Sequence, residues 1–153
     1  MKTAIIGLGY VGLPLLLAYA RKGHQALGID IDPSKIDALM AGRSYIKHIP
    51  SEHIAESLAA GKLDATTDFA RVSECDAIIL CVPTPLGKSK EPDMSYIVKS
   101  CESMAQHFRP GKLIILESTT YPGTTDELML PMFEKGGLKV GEDFFMCFSP
   151  ERV

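Results

Sequence analysis

The chain is 153 residues long, 46% hydrophobic and 23% charged, with a net charge of −3. That is the composition of a soluble globular protein with room for one domain, able to bury roughly 70% of the surface its unfolded chain exposes. The mild negative charge and scattered basic residues exclude a general affinity for nucleic acid, and no uncharged run is long and glycine-free enough to predict a membrane partner.

The first stretch organises the rest. Thr3-Ala4-Ile5-Ile6 reads as a buried strand and runs straight into Gly7-Leu8-Gly9-Tyr10-Val11-Gly12. In a G-x-G-x-x-G turn the first glycine makes the bend, the second lets a pyrophosphate approach the backbone, and the third lets the helix pack against the strand. The helix N-terminus then faces the phosphates with its unpaired N–H groups and positive dipole. Residues 25–29 read as a second strand with Asp30 at its end, about 20 residues beyond the glycines, where this pattern puts the acid that bonds the adenosine ribose. The alternative is a glycine-rich turn with Asp30 as an ordinary loop acid. Lys2 and the uncharged run to Ala18-Tyr19-Ala20 also imitate a secretory leader, but cleavage there would remove the phosphate turn.

In chain order, the first helix is predicted over residues 11–22, ending at Gly23. Asp32 is placed to cap a second helix with Pro33 at its first position, and Ile36, Leu39 and Met40 supply its apolar spacing. Residues 43–50 show no period and read as a loop. Ser51 is placed to cap a short helix, residues 63–66 form a short strand, and Asp68 opens another brief helix. Residues 77–82 are the strongest buried strand, ended by Pro83-Thr84-Pro85. A helix over 95–108 presents Ile97, Cys101, Met104 and Ala105, and a fifth strand covers 113–116. Thr124 and Glu127 suggest a capping box, and 144–148 form a sixth strand.

Strands alternating with helices predict an α/β fold, a three-layer Rossmann-like doubly wound parallel sheet. The loops after strands four, five and six then open on one edge: Pro83-Thr84-Pro85, Ser118-Thr119-Thr120 and Ser149-Pro150-Glu151. The same residues have another reading, as turn formers, caps and a solvated acid. The four cysteines lack CxxC spacing and the histidines do not cluster with them, so no metal site is expected and a reducing, cytoplasmic setting fits. Cys81 and Cys147, inside apolar runs, are expected to be buried.

Residues 7–14, 30–32, 81–85, 117–123 and 148–153 together make the chain resemble the N-terminal NAD-binding domain of the UDP-glucose/GDP-mannose dehydrogenase family. Ser44-Tyr45-Ile46-Lys47-His48-Ile49-Pro50 resembles the branch acting on UDP-N-acetylhexosamines. The resemblance implies a double oxidation of a primary alcohol at C6, two NAD⁺ taking hydride in turn while a cysteine holds the acyl group as a thioester. It implies that Gly7, Gly9, Tyr10, Val11, Gly12, Asp30, Lys35, Pro83, Thr84 and Thr119 hold NAD. It further implies that Thr119 orders a catalytic water and that Glu151 serves thioester hydrolysis, a task a carboxylate performs by taking a proton from water.

The family nucleophile sits in a Gly-rich cysteine motif with a lysine and an asparagine, and none of the four cysteines here has that context. The expectation is that residues 1–153 are the cofactor half of a larger enzyme, without its central dimerising helix and sugar-nucleotide domain. Alone, such a chain would bind NAD without turnover; a homodimer and contact with the UDP-sugar would belong to the full-length protein. The alternatives are a non-catalytic NAD-binding module and the N-terminal domain of a β-hydroxyacid-type dehydrogenase.

Overall fold

The computed structural model describes residues 1–87 and 91–150. Six parallel strands, β1 (Lys2–Ile6), β2 (Gln25–Ile29), β3 (Leu63–Thr66), β4 (Ala77–Leu80), β5 (Lys112–Leu116) and β6 (Phe144–Phe148), lie side by side in the order β3-β2-β1-β4-β5-β6. This is the Rossmann order that the alternating elements predict. The register pairs Ile6 with Ile29 and Leu80, and Leu80 with Leu116, so four strands end level at one edge.

β1 is buried on both faces from Thr3 onward because both are covered, which explains why Ala4, Ile5 and Ile6 are apolar in succession. Leu13, Leu16 and Leu17 of α1 (Gly12–Arg21), Ile36 and Leu39 of α2 (Pro33–Met40) and Ile54 of α3 (Ser51–Ala59) pack on one face. Ile97, Cys101 and Met104 of α4 (Ser95–Ala105), Phe133 of α5 (Leu130–Glu134) and Val72 of a 3₁₀ segment (Phe69–Glu74) pack on the other. Phe108 joins Phe133 and Phe144 in an aromatic cluster, with its ring centroid 4.8 and 5.4 Å from theirs. No helix among the described residues is long and apolar enough to cross a membrane.

Several caps form as the sequence suggests. Asp32 accepts from the Ser34 N–H at 2.9 Å with Pro33 following, Asp68 accepts from the Ala70 N–H at 2.9 Å, and Gly23 closes α1 at φ 86°. Three expectations are corrected. Pro50, not Ser51, is the N-cap of α3; Ser51 is its first residue, and its hydroxyl instead accepts from the Ser44 N–H at 3.0 Å. Thr124 and Glu127 form no capping box, because Gly123 takes the N-cap at φ 93° and the Thr124 hydroxyl donates backward to the Tyr121 carbonyl at 2.8 Å. The turns that follow are wide over Thr124–Met129 and become α-helical only at Leu130. Pro131, which has no N–H to offer the preceding turn, lies where that change occurs. Finally, Cys81 is buried but Cys147 is exposed, since β6 is an outer strand with half-exposed Phe145 and Phe148 beside it.

Candidate functional site

The level strand ends open into a cleft of about 650 Å³ at the point where the chain order reverses between β1 and β4. Gly7, Gly9, Tyr10, Val11, Asp30, Lys35, Pro83, Thr84 and Thr119 all line it. Gly12 lies behind the turn, and Glu151 falls outside the described residues.

The three glycines are required for three different reasons. Gly7 adopts φ +89°, and a Cβ there would stand 2.7 Å from the Cys81 carbonyl oxygen. At Gly12 a Cβ would lie 1.8 Å from the Gly7 carbonyl oxygen, so helix and turn touch only because no side chain intervenes. Gly9 has neither constraint: its φ is not left-handed, and a Cβ would meet nothing within 4 Å. Its smallness therefore serves no protein contact. An open approach to backbone N–H groups at a helix start fits a phosphate ligand.

Three donors hold Asp30 in the cleft. It is 6% exposed, and its Oδ2 accepts from the Leu8 N–H at 2.8 Å and from Lys35 Nζ at 2.9 Å, while Oδ1 accepts from the Asp32 N–H at 3.0 Å. A carboxylate has about four acceptor positions, so one remains on Oδ1 for a hydroxyl donor. A buried charge is tolerable when paired and bonded in this way. Next to it, the hydroxyl and N–H of Ser34 hold the Asp32 carboxyl below its usual range.

The opposite wall is built from hydroxyls. The Thr84 hydroxyl donates to the Thr119 carbonyl at 2.6 Å, and the buried Ser118 hydroxyl donates to the Val82 carbonyl at 2.8 Å. The loops after β4 and β5 are thus laced together, so Thr84 and Ser118 are neither free turn residues nor helix caps. α4 contributes Tyr96, Lys99, Ser100 and Ser103 to the same cleft, and Phe69 joins them. The sequence reading missed these residues because it followed only the apolar stripe of α4. Positions 96, 99, 100 and 103 share the i, i+3, i+4, i+7 spacing of a second face, and that was the available signal.

The sequence matches the NAD-binding domain of the UDP-glucose/GDP-mannose dehydrogenase family over residues 1–153. The chain belongs to that family. It is 38% identical to UDP-N-acetyl-D-glucosamine 6-dehydrogenase of Pseudomonas aeruginosa, covering 100% of this chain and 36% of that protein. It is 34% identical to UDP-N-acetyl-D-mannosamine dehydrogenase of Pyrococcus horikoshii, covering 100% and 37%. The fold superposes on a ternary complex of GDP-mannose dehydrogenase from Pseudomonas aeruginosa with a TM-score of 0.94, at 31% identity, covering 100% of this chain and 36% of that one. The chain thus spans a little over a third of these relatives. The cofactor of the domain is NAD, and the cleft's open glycine and held carboxylate fit it.

Proposed function

We propose that this chain is the cofactor half of a nucleotide-sugar 6-dehydrogenase that oxidises the C6 primary alcohol of a UDP-sugar to the uronic acid with two NAD⁺. UDP-N-acetylglucosamine, UDP-N-acetylmannosamine and UDP-glucose are the candidate substrates. The observation that carries the reading is Gly9, left open beside a carboxylate that protein donors hold in place, in a chain whose relatives are named for this class of oxidation.

When bound, NAD supplies the hydride acceptor. Gly7 and Gly12 fix the turn, Asp30 receives a ribose hydroxyl on Oδ1, and Lys35 keeps the carboxylate in place from the other side. Thr84 and Thr119 border the far end. In the family's reaction Thr119 would order water and Glu151 would take a proton from it during thioester hydrolysis. None of the four cysteines is assigned as nucleophile. Burial pushes the Cys101 thiol up to about 12 and raises that of Cys75, the opposite of what an attacking thiolate needs. The nucleophile, most sugar contacts and the dimerising helix would belong to sequence beyond these residues.

The reading predicts that the 153-residue chain binds NAD(H) and shows no steady oxidation of a UDP-sugar. Well-oriented reactants are worth on the order of 7–11 kcal/mol of barrier, and a half-site open to water forfeits most of it. In the longer enzyme, Glu151→Gln should spare NAD⁺ binding and let a covalent adduct accumulate, visible by intact-protein mass spectrometry. Sustained NADH production by the 153-residue chain alone would overturn the half-enzyme reading.

A further inference from the structure

Residues 43–50 take no part in the chemistry proposed above, and none of them lines the cleft. Ile46 and Ile49 are buried among the side chains beneath α1, which seats the segment against the glycine turn. From there the Tyr45 hydroxyl donates to the Leu8 carbonyl at 2.6 Å. Leu8 stands between Gly7 and Gly9, and its own N–H donates to Asp30 Oδ2 at 2.8 Å. Both polar backbone groups of the residue at the centre of the turn are therefore taken by side chains, one at the end of β2 and one from this segment. Farther along the turn, the Tyr10 ring stacks on His48 at a centroid distance of 6.1 Å and an interplanar angle of 22°. The segment touches the turn on either side of Gly9.

We propose that residues 43–50 clamp the phosphate-binding turn, with Tyr45 as a positioning residue that aims the Gly9 N–H at the cofactor's pyrophosphate. The reason lies in the peptide plane. The Leu8 carbonyl and the Gly9 N–H belong to one planar trans unit and point in opposite directions, so a donor that fixes the carbonyl also fixes the N–H. Tyr45 is suited to the task as a permanent donor, since burial first, and then the Asp30 and Asp32 charges, raise its phenol pKa. Asp30 keeps its bonds from Asp32 and Lys35 without Tyr45, and the Leu8 N–H that it also accepts belongs to the preceding peptide unit, so the ribose site depends little on the clamp. The inference rests on the glycine turn being the seat of the pyrophosphate.

The test is calorimetric titration of the 153-residue chain and its Tyr45→Phe variant with NAD⁺, ADP-ribose and adenosine. Phenylalanine keeps the ring and removes only the hydroxyl. NAD⁺ and ADP-ribose should weaken by roughly three- to tenfold, the scale of one hydrogen bond, while adenosine, which has no phosphate, stays within about twofold. Hydrogen exchange at the Gly9 amide should change in the same variant without ligand. A uniform loss across the three ligands, or no loss, overturns the clamp, because a packing role alone does not distinguish phosphate from ribose. If the unaltered chain gains nothing from ADP-ribose over adenosine, the pyrophosphate seat itself is wrong and the clamp falls with it. If Tyr45→Phe does not fold, His48→Ala decides: a weakening confined to the phosphate ligands supports the clamp, and its absence overturns it.

Discussion

The wall of the cleft that carries Asp30 and the wall that carries Thr119 face one another, yet they use their polar atoms in opposite ways. On the first, backbone N–H groups and Lys35 converge on one carboxylate, and a glycine whose Cβ would meet no protein atom within 4 Å leaves room beside it. On the second, hydroxyls are used to tie loop to loop, Thr84 to the Thr119 carbonyl and Ser118 to the Val82 carbonyl. A fixed charge next to an opening recognises one ligand by shape and hydrogen bonding. Laced loops hold a surface in place for groups that come from elsewhere. On the proposed reading the first wall is the cofactor's own seat, whereas the second is a support.

The sharpest way to break this comparison lies in the glycines. Gly12→Val should destabilise the fold at or above the ~3 kcal/mol upper end of ordinary overpacking, because its clash is with backbone that has no room to give. Gly9→Val should leave the thermal midpoint nearly unchanged and weaken NAD⁺ by about 3 kcal/mol or more, the scale of one or two hydrogen bonds to a charged group. Thermal denaturation and calorimetry on both variants give the two readouts. A Gly9→Val chain that is folded and binds NAD⁺ normally would show that the first wall is not the phosphate seat.

Asp30→Ala sharpens the comparison at the next level. It should weaken NAD⁺ by about 1–3 kcal/mol and erode the preference for NAD⁺ over NADP⁺, since Asp30 repels a 2′-phosphate. Lys35, 2.9 Å from the carboxylate, blunts that repulsion, so Lys35→Met should widen the preference. Titration of each variant with both cofactors is the measurement, and tighter NADP⁺ than NAD⁺ binding by the unaltered chain would refute the assignment. On the second wall, Ser118→Ala should cost about 1–2 kcal/mol of stability in urea unfolding, from a buried hydrogen bond, with little change in NAD⁺ affinity.

The first wall was legible in the sequence because its constraints are local. Glycine spacing, a strand on either side and an acid at a fixed distance all fall within 30 residues, and each of them lands where expected. The partners of that wall were not legible. Tyr45 reaches Leu8 across 37 positions of chain, and no period marks the segment that carries it. Capping errors at Ser51 and Thr124 arose for a local reason: both hydroxyls had a competing backbone partner a few residues upstream, Ser44 and Tyr121. Cys147 misled because an apolar run looks the same on an outer strand as on an inner one.

The smallest expected effect comes from the opposite edge of the sheet and serves as a control on both walls. Glu74 accepts from Arg71 Nε at 2.9 Å and pairs with Lys2, while Arg71 also donates to Asp64 at 2.7 Å. These bonds, from Arg71 first and then Lys2, hold the Glu74 carboxyl at about 2, below the ordinary 4.5. A carboxylate depressed in this way contributes stability that is fully present above pH 4.5 and fades as pH falls toward 2. Glu74 is 42% exposed, so solvent screening keeps the contribution below about 1 kcal/mol. Glu74→Gln should therefore lose a few tenths of a kcal/mol at pH 7, about the worth of an exposed ion pair, and unfold in urea with a flatter pH dependence between about 4.5 and 2. NAD⁺ affinity at pH 7 should not change, because none of these side chains lines the cleft. A variant with the original acid slope would mean that other carboxylates set it. Weaker NAD⁺ binding in the same variant would mean that the first wall is not self-contained, and that its shape depends on contacts at the far end of the strands.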